Sequence, residues 1–429
     1  MSAQAIAPAQ QPQLPLGLLE EDPDYLTRQL VTYIGNKRAL LGLIRSAVED
    51  VRRRTGQDKL RILDAFSGSG VVSRMLKQYA SELVVNDTED YARVISECYL
   101  ANRGSTPTDV LAVTVGALNR AVDAGSPSPG LIRRLYAPRD AAAIGPEDRV
   151  FYTPENADRL DTYRQLLEHE PLDSRSLLMG PLLSKASIHA NTAGVFKGFY
   201  KDRGTGVGKF GGSGADALDR ITAPIVLEPP ILSRFECDYS VHQMDANLLV
   251  SDVGGFDVAY FDPPYNQHPY GSNYFMLNLL VDYGDPTEIS RVSGIPTSWR
   301  RSDYNVRSKA LPKLRELIGA VDAKFVILSF NDEGFVSPPE IREVLSEVGT
   351  VTEQRQPYTT FRGCRNLRNR SVQVVEHVYL IEKDGQDGKE GGSALAARGD
   401  GHQLNVQAAG DRARQGRQES RGASPARVR

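Results

Sequence analysis

The sequence predicts an α/β protein built on an open, mostly parallel sheet with ligand-binding strand ends. Three observations predict it. Apolar runs stop abruptly at polar side chains: residues 60–63 at Asp64, 83–85 at Asn86 and Asp87, 239–244 at Asp245, 256–261 at Asp262, and 325–330 at Asn331. A glycine-rich turn, Asp64-Ala65-Phe66-Ser67-Gly68-Ser69-Gly70, joins the first run to a helical pattern over residues 71–79. The last run, residues 374–382, alternates between apolar and polar side chains and is flanked by charge, as expected of a late antiparallel strand. Ligands of open α/β sheets gather beyond the carboxyl ends of the strands, so five polar tips on one rim beside a glycine-rich turn mark a binding edge.

In chain order, residues 1–24 are rich in Ala, Gln and Pro and read as a disordered lead-in. The turn Tyr33-Ile34-Gly35-Asn36-Lys37 opens a helix whose stripe is Leu40, Leu41, Ile44, Val48 and Val51, with Gly56 as its stop. Lys37 falls in the first turn, an unfavourable place for a cation unless something negative is held there. Gly68 and Gly70 let a ligand approach the main chain, because no Cβ intervenes. Ser73 occupies the third position of GxGxxG, which favours a nucleoside without a pyrophosphate. Asp87 suits either ribose hydroxyls or the cap of a helix beginning at Thr88.

Residues 101–223 interrupt the α/β rhythm. Thr153-Pro154 opens one helix carrying Leu160, Tyr163, Leu166 and Leu167, and a second helical stretch covers 177–188. A basic patch follows Asn191: Lys197, Lys201, Arg203 and Lys209 interleave with Phe196, Phe199, Tyr200 and Phe210. That mixture suits phosphates and exposed bases, or else a β-hairpin with a solvated charged face. The rhythm resumes at residue 239, and residues 273–281 supply a helix. In Asp262-Pro263-Pro264-Tyr265 the two prolines stiffen the backbone where the fourth run ends. Asp262 and the Pro263 carbonyl are placed to accept the N–H hydrogens of an aminated heteroaromatic ring, with Tyr265 stacking on its face. A second basic segment, residues 362–370, contains Arg365 and Arg368, and from Asp384 onward the composition is that of a disordered tail.

Composition removes several alternatives. A net charge of −3 gives no global attraction to nucleic acid, so such binding must be local. Cys98, Cys237 and Cys364 lie far apart and the histidines form no cluster, which argues against a structural zinc or a disulfide framework. There is no run of membrane-spanning length and no signal-peptide pattern, so the expected location is the cytoplasm.

Taken together, the glycine-rich turn, the acidic tip at Asp87, the inserted region and Asp262-Pro263-Pro264-Tyr265 resemble the N6-adenine DNA methyltransferases of the alpha order. In that group the cofactor motif precedes the target-recognition region, which precedes the DPPY motif. Tyr33-Ile34-Gly35-Asn36-Lys37 is similar to the group's N-terminal cofactor motif, and residues 191–199 resemble its element ahead of the DNA-contacting loop. The resemblance implies a Rossmann-like S-adenosylmethionine-dependent methyltransferase sheet formed by 25–100 and 224–383, with 101–223 as an inserted, mainly helical target-recognition region. The cofactor would lie over Gly68 and Gly70 with Asp64 and Phe66 in its site, its ribose at Asp87, its adenine edge near Asp245, and its methionine end near Tyr33, Lys37 and Asp262. Lys37 would meet the cofactor's carboxylate. Asp262, Pro263, Pro264 and Tyr265 would hold an adenine flipped out of duplex DNA. Asn191, Lys197, Lys201, Arg203, Lys209, Arg365 and Arg368 would contact the DNA. No metal is implied. The protein would act as a solitary methylase or beside a cognate restriction endonuclease. RNA adenine, N4 of cytosine and a non-catalytic DNA-binding relative are the alternative readings.

Overall fold

Central strands that are buried on both faces read as nearly continuous apolar runs, and here those runs assemble into one seven-stranded sheet. The computed structural model describes residues 20–125, 130–212, 216–359 and 373–384. The strands are β1 (Leu60–Asp64), β2 (Ala80–Asn86), β3 (Asp238–His242), β4 (Phe256–Phe261), β5 (Ala323–Asn331), β6 (Gly349–Thr359) and β7 (Gln373–Lys383). Their order is β3-β2-β1-β4-β5-β7-β6, and only β7 runs against its neighbours. β1 lies between β2 and β4, with Ile62 opposite both Leu83 and Val258. The connections leave β1 and β4 in opposite directions, which opens a crevice beyond Asp64 and Phe261.

Alternation along the strands divides the core. Ile62, Val258, Tyr260, Phe325 and Ile327 face the helices Leu41–Thr55 and Val71–Leu76. Leu63, Ala259, Phe261, Val326 and Leu328 face the helices Ala246–Asp252, Arg307–Ala320 and Pro338–Ser346. The expected first helix is present, preceded by a 3-10 turn at Lys37–Leu40 and ended by Gly56 in the left-handed conformation at φ 69°. Thr153 caps the helix Pro154–Leu167 by accepting a hydrogen bond from the Asn156 N–H.

Residues 101–223 contain five helices among the described residues: Thr108–Ala124, Leu131–Tyr136, Pro154–Leu167, Leu172–Ile188 and Asp216–Thr222. The first four share one core with Tyr91, Ile95 and Cys98 of the helix Asp90–Tyr99 and with Phe275–Asp282. The helices Leu172–Ile188 and Asp90–Tyr99 approach closely at Gly180, where a Cβ would lie 2.6 Å from Cys98 Sγ.

Several elements depart from expectation. The helix after the glycine-rich turn tightens to a 3-10 turn at Lys77–Tyr79, and the helix expected at 273–281 is two helices, Tyr270–Asn273 and Phe275–Asp282, broken at Tyr274. The lead-in ends sooner: Asp22 caps a short helix, Pro23–Thr27, and buried Tyr25 donates its hydroxyl hydrogen to the Tyr99 carbonyl. The sequence reading lacked β6 and, besides Pro23–Thr27, six helices. One of these, Pro338–Ser346, announces itself by a capping box between Ser337 and Glu340. Residues 1–19, the segment with Cys364, Arg365 and Arg368, and the tail after Asp384 lie outside the described residues. No helix among the described residues is long and apolar enough to cross a membrane.

Gly180→Val forces the two helices apart, and overpacking of this kind costs about 2 kcal/mol. Urea denaturation should show a midpoint lowered accordingly; an unchanged midpoint would mean the contact yields without strain.

Candidate active site

The crevice beside β1 and β4 measures about 880 Å³, its open mouth included. Its walls come from the N-terminal turn (Tyr33, Gly35, Asn36, Lys37), the glycine-rich turn (Phe66, Ser67, Gly68, Ser69), the end of β2 (Asp87, Glu89), the segment after β3 (Met244, Asp245) and the end of β4 (Asp262, Pro264). Tyr270, Arg300 and Tyr304 complete the rim.

The glycine-rich turn is fixed by hydrogen bonds. Gly68 (φ 52°) donates its N–H to Asp87 Oδ2 at 2.8 Å, and Asp87 Oδ1 accepts from the Glu89 N–H at 3.0 Å. Asp87 therefore laces the turn to the end of β2 instead of capping the next helix, which begins at Asp90. A Cβ on Gly68 would lie 3.0 Å from the Tyr33 hydroxyl, so only glycine fits this approach. Asp64 lies behind the turn: Ser73 Oγ donates to its Oδ2 at 2.5 Å and it does not line the crevice, nor does Gly70. The serine in the third glycine position thus has a structural partner. Burial pushes the Asp64 carboxyl up to about 7, against the opposing pull of Ser73.

Tyr33 stands in an aromatic wall, stacked on Tyr274 at 4.6 Å and on Tyr270 at 5.0 Å. Opposite, Tyr304 meets Phe66 edge-on at 5.4 Å. Two flat apolar walls across a polar floor suit a planar ring system. Asp245 both lines the crevice and caps the helix Ala246–Asp252, accepting from the Asn247 N–H at 2.9 Å. Glu89, which the sequence reading missed, is buried on the same wall; burial first, then Asp87, pushes its carboxyl up to about 7.

The stiff Asp-Pro-Pro-Tyr turn meets a buried cation. Lys37 Nζ lies 3.2 Å from Asp262 Oδ1 and 3.4 Å from Glu376 Oε2, with the lysine side chain 3% exposed. The contact to Asp262 is an ion pair off hydrogen-bonding geometry, which leaves buried Oδ1 without a hydrogen bond. Burial opposes the lysine's charge, yet Asp262, Tyr265 and Glu376 together hold its pKa well above the ordinary value. Burial likewise pushes Asp262 up to about 6, with Lys37 pulling it down and Glu376 pushing it up. Within the chain, the negative partners of Lys37 are these two carboxylates, and Lys37 also lines the crevice. Glu376 was missed, although it shares the inward face of β7 with Val374 and Val378, where a charge is unexpected.

Tyr265 was expected to project beyond the sheet. Its ring is buried against Phe330 at 5.4 Å, with Lys37 Nζ 5.2 Å from its centroid, and it does not line the crevice. Pro263 does not line it either, while Pro264 does.

The basic segment also differs from expectation. Asn191 is fully buried: it donates to the carbonyls of Val150 and Lys209 and accepts from the Gly211 N–H, so it is spent on the fold and unavailable to DNA. A bridge between Lys201 and Gly208 makes the hairpin that was the alternative reading. Phe196 packs into the core against Phe275, and Phe199 against Phe151. Lys197, Arg203 and Lys209 are exposed and Lys201 is half-buried. The segment starts beside the aromatic wall, where the Phe196 N–H donates to the Asn273 carbonyl. Among the described residues no group of three His, Cys, Asp or Glu side chains is arranged to hold a metal.

The model of the D12 class N6 adenine-specific DNA methyltransferases matches residues 33–121 and 228–343. The chain is 28% identical over 361 residues to the type II methyltransferase M.NlaIII of Neisseria lactamica, covering 82% of this chain and 99% of that protein. It is 27% identical over 359 residues to the type II methyltransferase M.CviAII of Paramecium bursaria Chlorella virus 1, with 82% and 99% covered. Against the modification methylase StsI of Streptococcus sanguinis the identity is 25% over 375 residues, covering 82% of this chain and 52% of that protein. The matched family segments carry the glycine-rich turn, Lys37 and Asp262; Glu376 lies beyond them.

From the ordinary 3.8 to about 7, folded Asp64 holds a proton that the unfolded chain releases, so stability falls as pH rises through that window. The slope from one such group is at most about 1.4 kcal/mol per pH unit. Asp64→Asn removes the group, and its Tm should fall less steeply than that of the unaltered protein across the window. Parallel Tm curves would show that Asp64 is ionised in the fold.

Proposed function

The chain belongs to the N6 adenine-specific DNA methyltransferases, and from that premise we propose which of its residues perform the transfer. It is a site-specific adenine DNA methyltransferase, and its family uses S-adenosylmethionine. The crevice fits that cofactor: glycine main chain with no Cβ at Gly68, two aromatic walls for a planar base, and a polar floor at Asp87, Glu89 and Asp245. When bound, the cofactor supplies an electrophilic methyl group on a sulfonium. Gly68, Phe66 and Asp245 would hold its nucleoside portion. Because both oxygens of Asp87 already accept main-chain hydrogens, we assign the ribose hydroxyls jointly to Asp87 and its neighbour Glu89.

One observation carries the catalytic assignment: the Asp262 carboxylate lines the crevice while its inner oxygen, Oδ1, is held 3.2 Å from the Lys37 ammonium. A carboxylate on the crevice wall has further lone pairs with which to accept an N–H. The exocyclic amine of an extruded adenine supplies that donor, and the Pro263 carbonyl takes the second hydrogen. Both bonds draw the nitrogen's lone pair out of conjugation with the ring, and the Asp262 charge stabilises the positive charge that develops on N6 as the new bond forms. Lys37 keeps Asp262 ionised at neutral pH and fixes its position. Tyr265 supports this arrangement from beneath, through Phe330 and Lys37.

Extrusion costs a few kcal/mol, which contacts to the duplex must offset. We assign part of these to Lys197, Lys201, Arg203 and Lys209. The relatives named as modification methylases support a place in a restriction-modification system, acting on cytoplasmic DNA.

With labelled cofactor and duplex DNA, Asp262→Ala should lose at least about a hundredfold in transfer rate. A variant retaining full activity would refute the assignment. In the unaltered protein, kcat/KM should fall as pH drops below about 6, because Asp262 gains a proton there and loses its charge. A profile flat down to pH 5 would place the essential group elsewhere. Replacing the four basic residues by glutamine should lower the slope of log affinity against log salt by up to about 4, cofactor affinity unchanged; an unaltered slope removes them from the interface.

A further inference from the structure

Between the helix Phe275–Asp282 and the 3-10 turn Asp303–Asn305 runs a segment held in place at many points. Ile289 bridges Pro296, and the Tyr136 hydroxyl donates to the Gly294 carbonyl at 2.7 Å. Ser293 Oγ donates to the Lys197 carbonyl at 2.6 Å, which ties the segment to the basic hairpin. At its other end the Arg300 guanidinium bonds the Asp90 carboxylate, and Arg300 lines the crevice mouth. The segment therefore spans from the basic hairpin to the rim of the site. So many anchors on irregular chain imply a fixed presentation of something.

What it presents is Trp299, the only tryptophan of the chain, partly exposed and next to Arg300 at the rim. The Arg301 guanidinium sits 4.3 Å from the centroid of its ring. Arg301 is exposed and has no ion pair among the described residues, and residues 291–302 contain three arginines and no carboxylate. A guanidinium flat on an indole, unpaired and facing solvent, keeps its outward N–H donors for an anion, while the free part of the indole offers a surface for a base or sugar. Neither Phe196 nor Phe199 of the basic hairpin offers such a surface, since both pack inward.

We propose that Trp299 and Arg301 form a DNA-docking element at the crevice mouth, Arg301 taking a backbone phosphate and Trp299 stacking on the strand beside the extruded adenine. The proposal rests on the reading of the chain as an adenine DNA methyltransferase. It adds a contact surface outside the basic hairpin, next to Arg300 on the rim of the crevice.

The sole tryptophan supplies its own probe. The full-length protein is titrated with a library of random-sequence duplex DNA while tryptophan emission and the anisotropy of a labelled duplex are followed in parallel. Emission should be quenched with the same midpoint as the anisotropy, and salt should shift both together. Trp299→Ala and Arg301→Gln should each weaken duplex binding about tenfold, with Trp299→Phe retaining most of it and cofactor affinity by calorimetry unchanged in all three. Emission that ignores saturating DNA, or wild-type affinity in both Trp299→Ala and Arg301→Gln, overturns the docking element. If in addition the unaltered protein methylates DNA, only this proposal falls; if it binds no duplex at all, both fall.

Discussion

The site depends on one buried ammonium. Lys37 follows a turn near the start of the fold, Asp262 ends a central strand, and Glu376 sits on the last strand, so a single cation joins three distant stretches of chain. Burying such a group is unfavourable on its own, and burying either carboxylate without it is worse. Two carboxylates face one ammonium, so the cluster as a whole leans negative. The trio is thus a piece of architecture and of electrostatics together, and neither Asp262 nor Lys37 has a meaning apart from it.

The opposite wall obeys a different constraint. There the main chain is the working surface, and side chains serve to keep it still: Asp87 by accepting from Gly68, Asp64 by accepting from Ser73, Tyr33 by closing over the glycine where no Cβ fits. On the function proposed above, rigid main chain on one side and the Asp262 carboxylate on the other would bring a cofactor and a base together without either side having to rearrange.

Much of this is legible in the sequence, for a physical reason. Strands covered on both faces must be apolar throughout, so β1, β2, β4 and β5 stand out, and their polar tips stand out with them. β6 is an edge strand carrying Glu353, Gln354, Arg355 and Gln356, and shows no such run. Helices such as Arg307–Ala320, with Pro312 inside, bury a narrow stripe that periodicity alone does not isolate. At the site, chemistry was easier to read than direction. Asp64 and Asp262 look alike as strand-end carboxylates, yet one faces Ser73 and the other the crevice. Asn191 and Phe196 look like ligand contacts and are core. Lys37 was recognised as a cation needing a negative partner, but its partner is 339 residues away in sequence, and pairings at that distance leave no local trace.

The position of β7 carries a consequence for biosynthesis. Last of the described strands in chain order, β7 lies inside the sheet, between β5 and β6, and it brings the second carboxylate to Lys37. Until the ribosome has passed residue 383, β5 and β6 have no partner between them and the lysine has only one counter-ion. The glycine-rich turn can form early in synthesis, but the ion-pair trio waits for β7. A chain cut short upstream of that strand lacks Glu376 and the partner that β5 and β6 share.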